Sequence, residues 1–148
     1  MKHVFISIQA AVDAGKTILD IYHTDFTVSL KDDNSPLTLA DQRAHKIIVR
    51  YLQPLDIPIL SEEGRNIQFC ERKDWEQLWI VDPLDGTKEF VNRNGEFTVN
   101  IALTENGKPI SGVVYLPVAD RLYFADHRIG AYKLENAITI LRRQKKSK

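Results

Sequence analysis

The chain has 148 residues, 43% of them hydrophobic, with 20 basic and 20 acidic side chains and a formal net charge of zero. This composition describes one ordinary globular core, excludes a globally basic nucleic-acid binder, and contains no apolar run long enough to span a bilayer. A single cysteine, Cys70, rules out an intrachain disulfide. With no signal-peptide order at the start, it points to a reducing, cytoplasmic setting.

Val4, Ile8, Ala11, Val12, Ile18, Leu19 and Tyr22 recur near a 3.6-residue period, predicting an amphipathic helix that Gly15 weakens without ending. Phe26, Val28 and Leu30 then alternate with polar residues, and Asp32-Asp33-Asn34 supplies turn chemistry, so a strand and loop are expected. A second helix is expected from near Thr38 to Leu52, burying Ala44, Ile47, Ile48, Tyr51 and Leu52, with Pro54 beyond its end. Asp41 falls in its first turn, where a carboxylate complements the helix dipole.

A short apolar run, Ile57 to Leu60, ends at Ser61-Glu62-Glu63-Gly64. The polar stretch Gly64 to Trp75 reads equally as a lid or a plain connector. Leu78 to Val81 reads as a buried strand. After it the chain becomes strand-rich: Thr98 to Thr104, a Glu105-Asn106-Gly107-Lys108 hairpin turn, Ile110 to Tyr115, Leu122 to Ala125, and Ala131 to Leu134. The expected fold is α+β, two N-terminal helices packed on a largely antiparallel sheet. Residues 1–135 form that domain and 136–148 a basic, solvated tail carrying Arg142, Arg143, Lys145, Lys146 and Lys148; peripheral membrane association is the minor alternative. His3, His23, His45 and His127 lack metal-ligand spacing and are expected at the surface or its boundary.

The segment Trp79-Ile80-Val81-Asp82-Pro83-Leu84-Asp85-Gly86-Thr87 places two carboxylates and a helix start at the end of a strand. Pro83 fixes the backbone between the acids and offers no N–H to compete for their oxygens, so Asp82 and Asp85 can face one point. Gly86 permits a tight turn, and Thr87 can cap a helix whose first N–H groups meet an anion. Asp-Pro and Asp-Gly are also common turn dipeptides, and two turns with an ordinary cap would look the same. The second acidic cluster, at another strand end, tips the balance toward a metal and phosphate site. Hard oxygen donors suit Mg²⁺ better than zinc or iron.

These residues resemble the inositol monophosphatase-like, Mg²⁺-dependent, Li⁺-sensitive phosphatases, whose signature is Asp-Pro-x-Asp-Gly-Thr after a glutamate-bearing strand. The continuation from Lys88 through Asn92-Arg93-Asn94-Gly95-Glu96-Phe97 to Leu103, and the upstream Ser35-Pro36-Leu37-Thr38-Leu39-Ala40-Asp41, are similar to the CysQ-type 3'(2'),5'-bisphosphate nucleotidase branch. The resemblance implies metal ligands at Glu62, Asp82, Asp85 and the Leu84 carbonyl, and a water-activating pair in Asp41 and Thr87. It also implies a substrate cradle of Glu62, Leu84, Asp85, Gly86 and Thr87, with two or three Mg²⁺ ions in the complete family fold. The implied substrate is 3'-phosphoadenosine 5'-phosphate, cleaved to AMP and phosphate, with inositol monophosphate or another small sugar phosphate as the alternative. The family's later Trp-Asp motif has no counterpart, because Trp79 is the last tryptophan, and Ile138 to Lys148 match nothing familiar. The chain is therefore expected to be an N-terminal portion, the first half of an αβαβα fold, with impaired activity and self-association through exposed edges. A non-catalytic module that keeps only metal binding or protein contacts stays open beside the enzyme.

Overall fold

The computed structural model describes residues 2–24 and 36–146. The strand expected over Phe26 to Leu30 and the Asp32-Asp33-Asn34 loop lie outside the described residues, as do Ser35, Lys148 and the side chains of Arg142, Arg143, Lys145 and Lys146. Helix α1 spans Lys2–Tyr22 and α2 Pro36–Leu52. Ala40, Ala44, Ile48 and Leu52 recur every four residues and are fully buried, so one stripe of α2 faces the core. The two helices pack on each other, α1 covering β3 (Thr98–Glu105) and β4 (Lys108–Leu116), α2 covering β2 (Gln77–Asp85).

Gly15 sits mid-helix where α1 crosses Tyr115. A Cβ there would lie 2.5 Å from the Tyr115 ring, so the close approach requires glycine even though it costs the helix about 1 kcal/mol against alanine.

The six strands lie in sequence order in one sheet: β1 (Ile59–Ser61), β2, β3, β4, β5 (Arg121–Asp126) and β6 (Gly130–Glu135). β1 runs parallel to β2, and every later neighbour is antiparallel. Strand alternation sends Trp79, Val81, Val99, Ile101, Leu103, Val113, Tyr115 and Leu122 to the helices. The opposite face stays open, with Ile80 43%, Val114 40% and Tyr123 41% exposed. The β3–β4 hairpin turns through Asn106 and Gly107 at φ 49° and 74°, the left-handed pair that an Asn-Gly turn supplies.

Two expectations are corrected here. Among the described residues there are five α-helices, α1, α2, α3 (Phe69–Arg72), α4 (Thr87–Val91) and α5 (Ala137–Lys146), and a 3-10 turn, rather than two helices on the first half of a layered fold. Regular structure therefore runs the whole described length. The segment read as a solvated tail is helix α5, and its start is docked: Ala137 is fully buried, while Ile138 and Leu141 pack against the core. Asp120 makes the anchor. Its Oδ1 accepts both the Tyr115 hydroxyl at 2.9 Å and the Ile138 N–H at 3.0 Å, joining the β4–β5 turn to the first turn of α5.

Candidate active site

The sequence suggests a strand that stops at Val81, but β2 continues through the acids to Asp85. Asp82 pairs with Asn100 and Asp85 with Thr98, three steps along β2 against two along β3, so β2 carries one extra residue. Pro83 lies in that bulge, where a strand tolerates a missing donor. Trp79 and Val81 point into the core, so Ile80 and Asp82 take the opposite face. Glu62 follows β1, and its N–H donates to the Val81 carbonyl at 3.2 Å, which brings it beside Asp82. Asp85, at the end of the bulged strand, is exposed and accepts the Asn100 amide at 3.1 Å.

The electrostatics of the acids follow from this placement. Burial raises the Asp82 carboxyl to about 6, helped by the charges of Glu62 and Asp85 and a hydrogen bond from Glu62, while a bond from the Leu84 backbone pulls the other way. Asp41 is pushed well above the usual carboxylate range, first by burial, then by the charge and hydrogen bond of Glu63 and by Asp82 and Glu62. Three elements of structure thus deliver one acidic cluster: α2, the turn after β1, and β2 with its bulge.

A hard cation fits this donor set. Asp41 Oδ1, Asp82 Oδ1 and Asn100 Oδ1 are buried without a hydrogen-bond partner, a costly arrangement that a cation or the water it holds would satisfy. Among the described residues no three His, Cys, Asp or Glu side chains stand ready-made as a metal shell. Carboxylates this close repel one another and pair through protons until a cation draws them together.

Gly86, at φ 93°, is the residue before α4; its conformation suits glycine, and a Cβ would lie 3.2 Å from Phe97 Cα. Thr87, read as a cap, is instead the first helical residue, exposed and with no capping bond from its side chain. Among the described residues no hydrogen bond joins Thr87 to Asp41. The Leu84 side chain is buried, which fixes the backbone on either side of it. Behind α4, the rings of Tyr22, Phe90 and Phe97 pack with centroids 5.0–5.3 Å apart. Gly64 to Trp75 is not a bare loop: it holds α3 and an Arg65–Glu71 ion pair.

Glu63, read in the sequence only as part of the second acidic cluster, faces Asp41. Two further site residues, Asn100 and His45, escape the sequence reading. Asn100 reaches Asp85. His45, expected at the surface or its boundary, is half-buried and hydrogen-bonds through Nδ1 to the buried Ser61 Oγ at 2.8 Å, and burial lowers its pKa against the opposing pull of Glu63. Asp41 and His45 are four residues apart on one helix, so their shared face was the available signal.

Comparison with known proteins identifies the family of the chain. The pattern of the inositol monophosphatase family matches residues 2–148. The chain is 50% identical over 121 residues to the 3'(2'),5'-bisphosphate nucleotidase CysQ of Salmonella typhimurium, covering 79% of this chain and 49% of that protein. It is 51% identical over 124 residues to the same-named protein of Escherichia coli K12, with the same coverage. Among solved structures, CysQ from Bacteroides thetaiotaomicron superposes with a TM-score of 0.86 at 51% identity, covering 90% of this chain and 49% of that one. The extragenic suppressor protein suhB from Bartonella henselae gives 0.75 at 34% identity, covering 90% and 52%. The chain spans about half the length of the curated relatives it matches. The family match through residue 148 corrects the expected extent of the likeness, an N-terminal portion fading near Leu134, because the pattern continues through α5.

Proposed function

The chain belongs to the inositol monophosphatase family, and on that premise we propose that it is a Mg²⁺-dependent phosphomonoesterase of the 3'(2'),5'-bisphosphate nucleotidase type. Its substrate in this reading is 3'-phosphoadenosine 5'-phosphate, hydrolysed to AMP and phosphate; inositol monophosphate or another small sugar phosphate is the alternative. The names of the similar proteins support the substrate class. One observation carries the reading: Asp41, Glu62, Glu63, Asp82 and Asp85 crowd one strand end, where Asp41 Oδ1 and Asp82 Oδ1 are buried without a hydrogen-bond partner.

Glu62, Asp82, Asp85 and the Leu84 carbonyl hold the cation in this proposal. When bound, Mg²⁺ supplies charge neutralisation for the phosphoryl group and a more acidic water. Asp41 and Thr87 orient the attacking water and accept its proton in this proposal. Water oxygen bonds to phosphorus, the phosphorus–ester oxygen bond breaks, and the departing alkoxide takes a proton. The Gly86 and Thr87 amides, at the start of α4, receive the phosphate oxygens.

The cytoplasmic setting belongs to the same proposal. In support, Cys70 is an exposed free thiol, and among the described residues no helix is long and apolar enough to cross a membrane. So does self-association, which the open apolar face around Ile80, Val114 and Tyr123 favours and light scattering would measure. The deciding experiment is phosphate release from 3'-phosphoadenosine 5'-phosphate by this chain, with Mg²⁺, with chelator and with Li⁺. Release that needs Mg²⁺ and falls with Li⁺ supports the enzyme. Stoichiometric Mg²⁺ binding without release supports the non-catalytic module, and neither result leaves the acidic cluster without a cation.

A further inference from the structure

We propose that Asn100 is a positioning residue that holds the Asp85 carboxylate in the orientation needed to take a divalent cation, an inference that rests on the metal site proposed above. Asn100 occupies the last regular pair before the β2 bulge, opposite Asp82, yet its Nδ2 donates across the irregularity to Asp85 Oδ2 at 3.1 Å. Asn100 is therefore the register partner of one acid and a hydrogen-bond donor to the other.

The bridge has a physical reason. A bulge re-aims the residues beyond it, and Asp85 is exposed, so nothing in the packing fixes its carboxylate. A donor on one oxygen leaves the other directed elsewhere, and partners of this kind orient ligating carboxylates in metal sites.

The choice of an amide also follows from the surroundings. β3 alternates Val99, Ile101 and Leu103 inward, and the open face beside Asn100 carries Ile80, Ala102 and Val114. A polar residue in that apolar setting calls for an explanation. A lysine there would compete with a cation for the acids, and an aspartate would add charge to a cluster already repelling itself. Asn donates without either effect, and its Oδ1, buried and unpartnered, remains an acceptor facing the same crowded end of the sheet.

The test is Mn²⁺ affinity of the whole chain, read by electron paramagnetic resonance of the free ion, for wild type, Asn100→Leu, Asn100→Gln and Asp85→Ala. Leucine keeps the volume and removes the donor; glutamine restores an amide. Asn100→Leu should weaken Mn²⁺ binding roughly ten- to a hundredfold, as loss of such partners does elsewhere, with glutamine recovering part of it. Circular dichroism checks that each variant is folded. If Asn100→Leu fails to fold, Asn100→Gln and Asn100→Ser take its place, with a smaller loss expected for the residue that still reaches Asp85.

A second comparison separates positioning from scaffolding. In the Asp85→Ala background the Asn100→Leu effect should vanish, because the carboxylate it orients is gone. Unchanged affinity in the Asn100 variants, or an undiminished loss in the Asp85→Ala background, overturns the assignment. Failure of wild type itself to bind Mn²⁺ refutes the metal site, and the role of Asn100 with it.

Discussion

Gly15→Ala sets two effects of opposite sign against each other, and their magnitudes decide the outcome. Alanine is the better helix former by about 1 kcal/mol, so on an open helix face the substitution would stabilise. Here the added Cβ meets Tyr115 Cε1 at 2.5 Å and Cδ1 at 2.8 Å, with Pro117 Cγ at 3.1 Å, where ordinary contact begins near 3.4 Å. Something must move by about 1 Å, and the ring cannot swing freely, because Tyr115 is fully buried and its hydroxyl is held by Asp120. Overpacking of this kind costs roughly 1–3 kcal/mol, and the anchored ring puts it in the upper part of that range. The net expectation is destabilisation by about 1–2 kcal/mol, a fall in Tm of roughly 3–6 °C for a chain of this size. Urea unfolding and a thermal scan measure it. In a Tyr115→Phe background the ring loses its tether, so the penalty of Gly15→Ala should shrink by about 0.5–1 kcal/mol. A Gly15→Ala protein as stable as wild type would falsify the close-approach argument.

On the proposed function, Asp85→Asn should abolish Mg²⁺-dependent phosphate release while leaving the far-ultraviolet circular dichroism unchanged, since it removes the charge of the proposed ligand and almost no volume; a near-normal rate would count against the cation site. Asp120→Ala should lower stability by about 1–3 kcal/mol, because the buried Tyr115 hydroxyl loses its acceptor and α5 its anchor, and amide exchange in α5 should rise most. Asp126 is 2% exposed, and the Arg128 guanidinium holds its carboxyl far below the usual range. A folded pKa lower than the unfolded one contributes stability that is present above about pH 4 and lost as pH falls below it. Arg128→Met should therefore flatten the acid side of the stability profile, and an unaltered profile between pH 2 and 5 would refute that pairing.

Much of the scaffold is legible in the chain because local patterns and tertiary demands agree. The 4-residue stripe of α2 and the Asn-Gly turn at 106–107 carry their outcome in their own residues. The rest depends on partners distant in sequence. A strand with an internal proline reads as finished, so the continuation of β2 to Asp85 is invisible until β3 shows the register slip that absorbs Pro83. Asn100 hides for the same reason: its period-2 position is that of any outward polar residue, and only the bulge brings it to Asp85. Helix α5 was masked by its basic charges, whereas its docking turns on Asp120, 18 residues before Ile138. Glu62 and Glu63 are the sharpest case. In near-extended chain, neighbours face opposite ways, so a single carboxylate would be expected at the site; the turn after Ser61 instead lets Glu62 serve Asp82 and Glu63 serve Asp41. The parallel pairing of β1 with β2 makes this possible, since it sets both strands' carboxyl ends on the same side and gathers their acids against α2. Charge accumulated in this way costs folding free energy unless a ligand offsets it, which is the physical ground for the cation site proposed above.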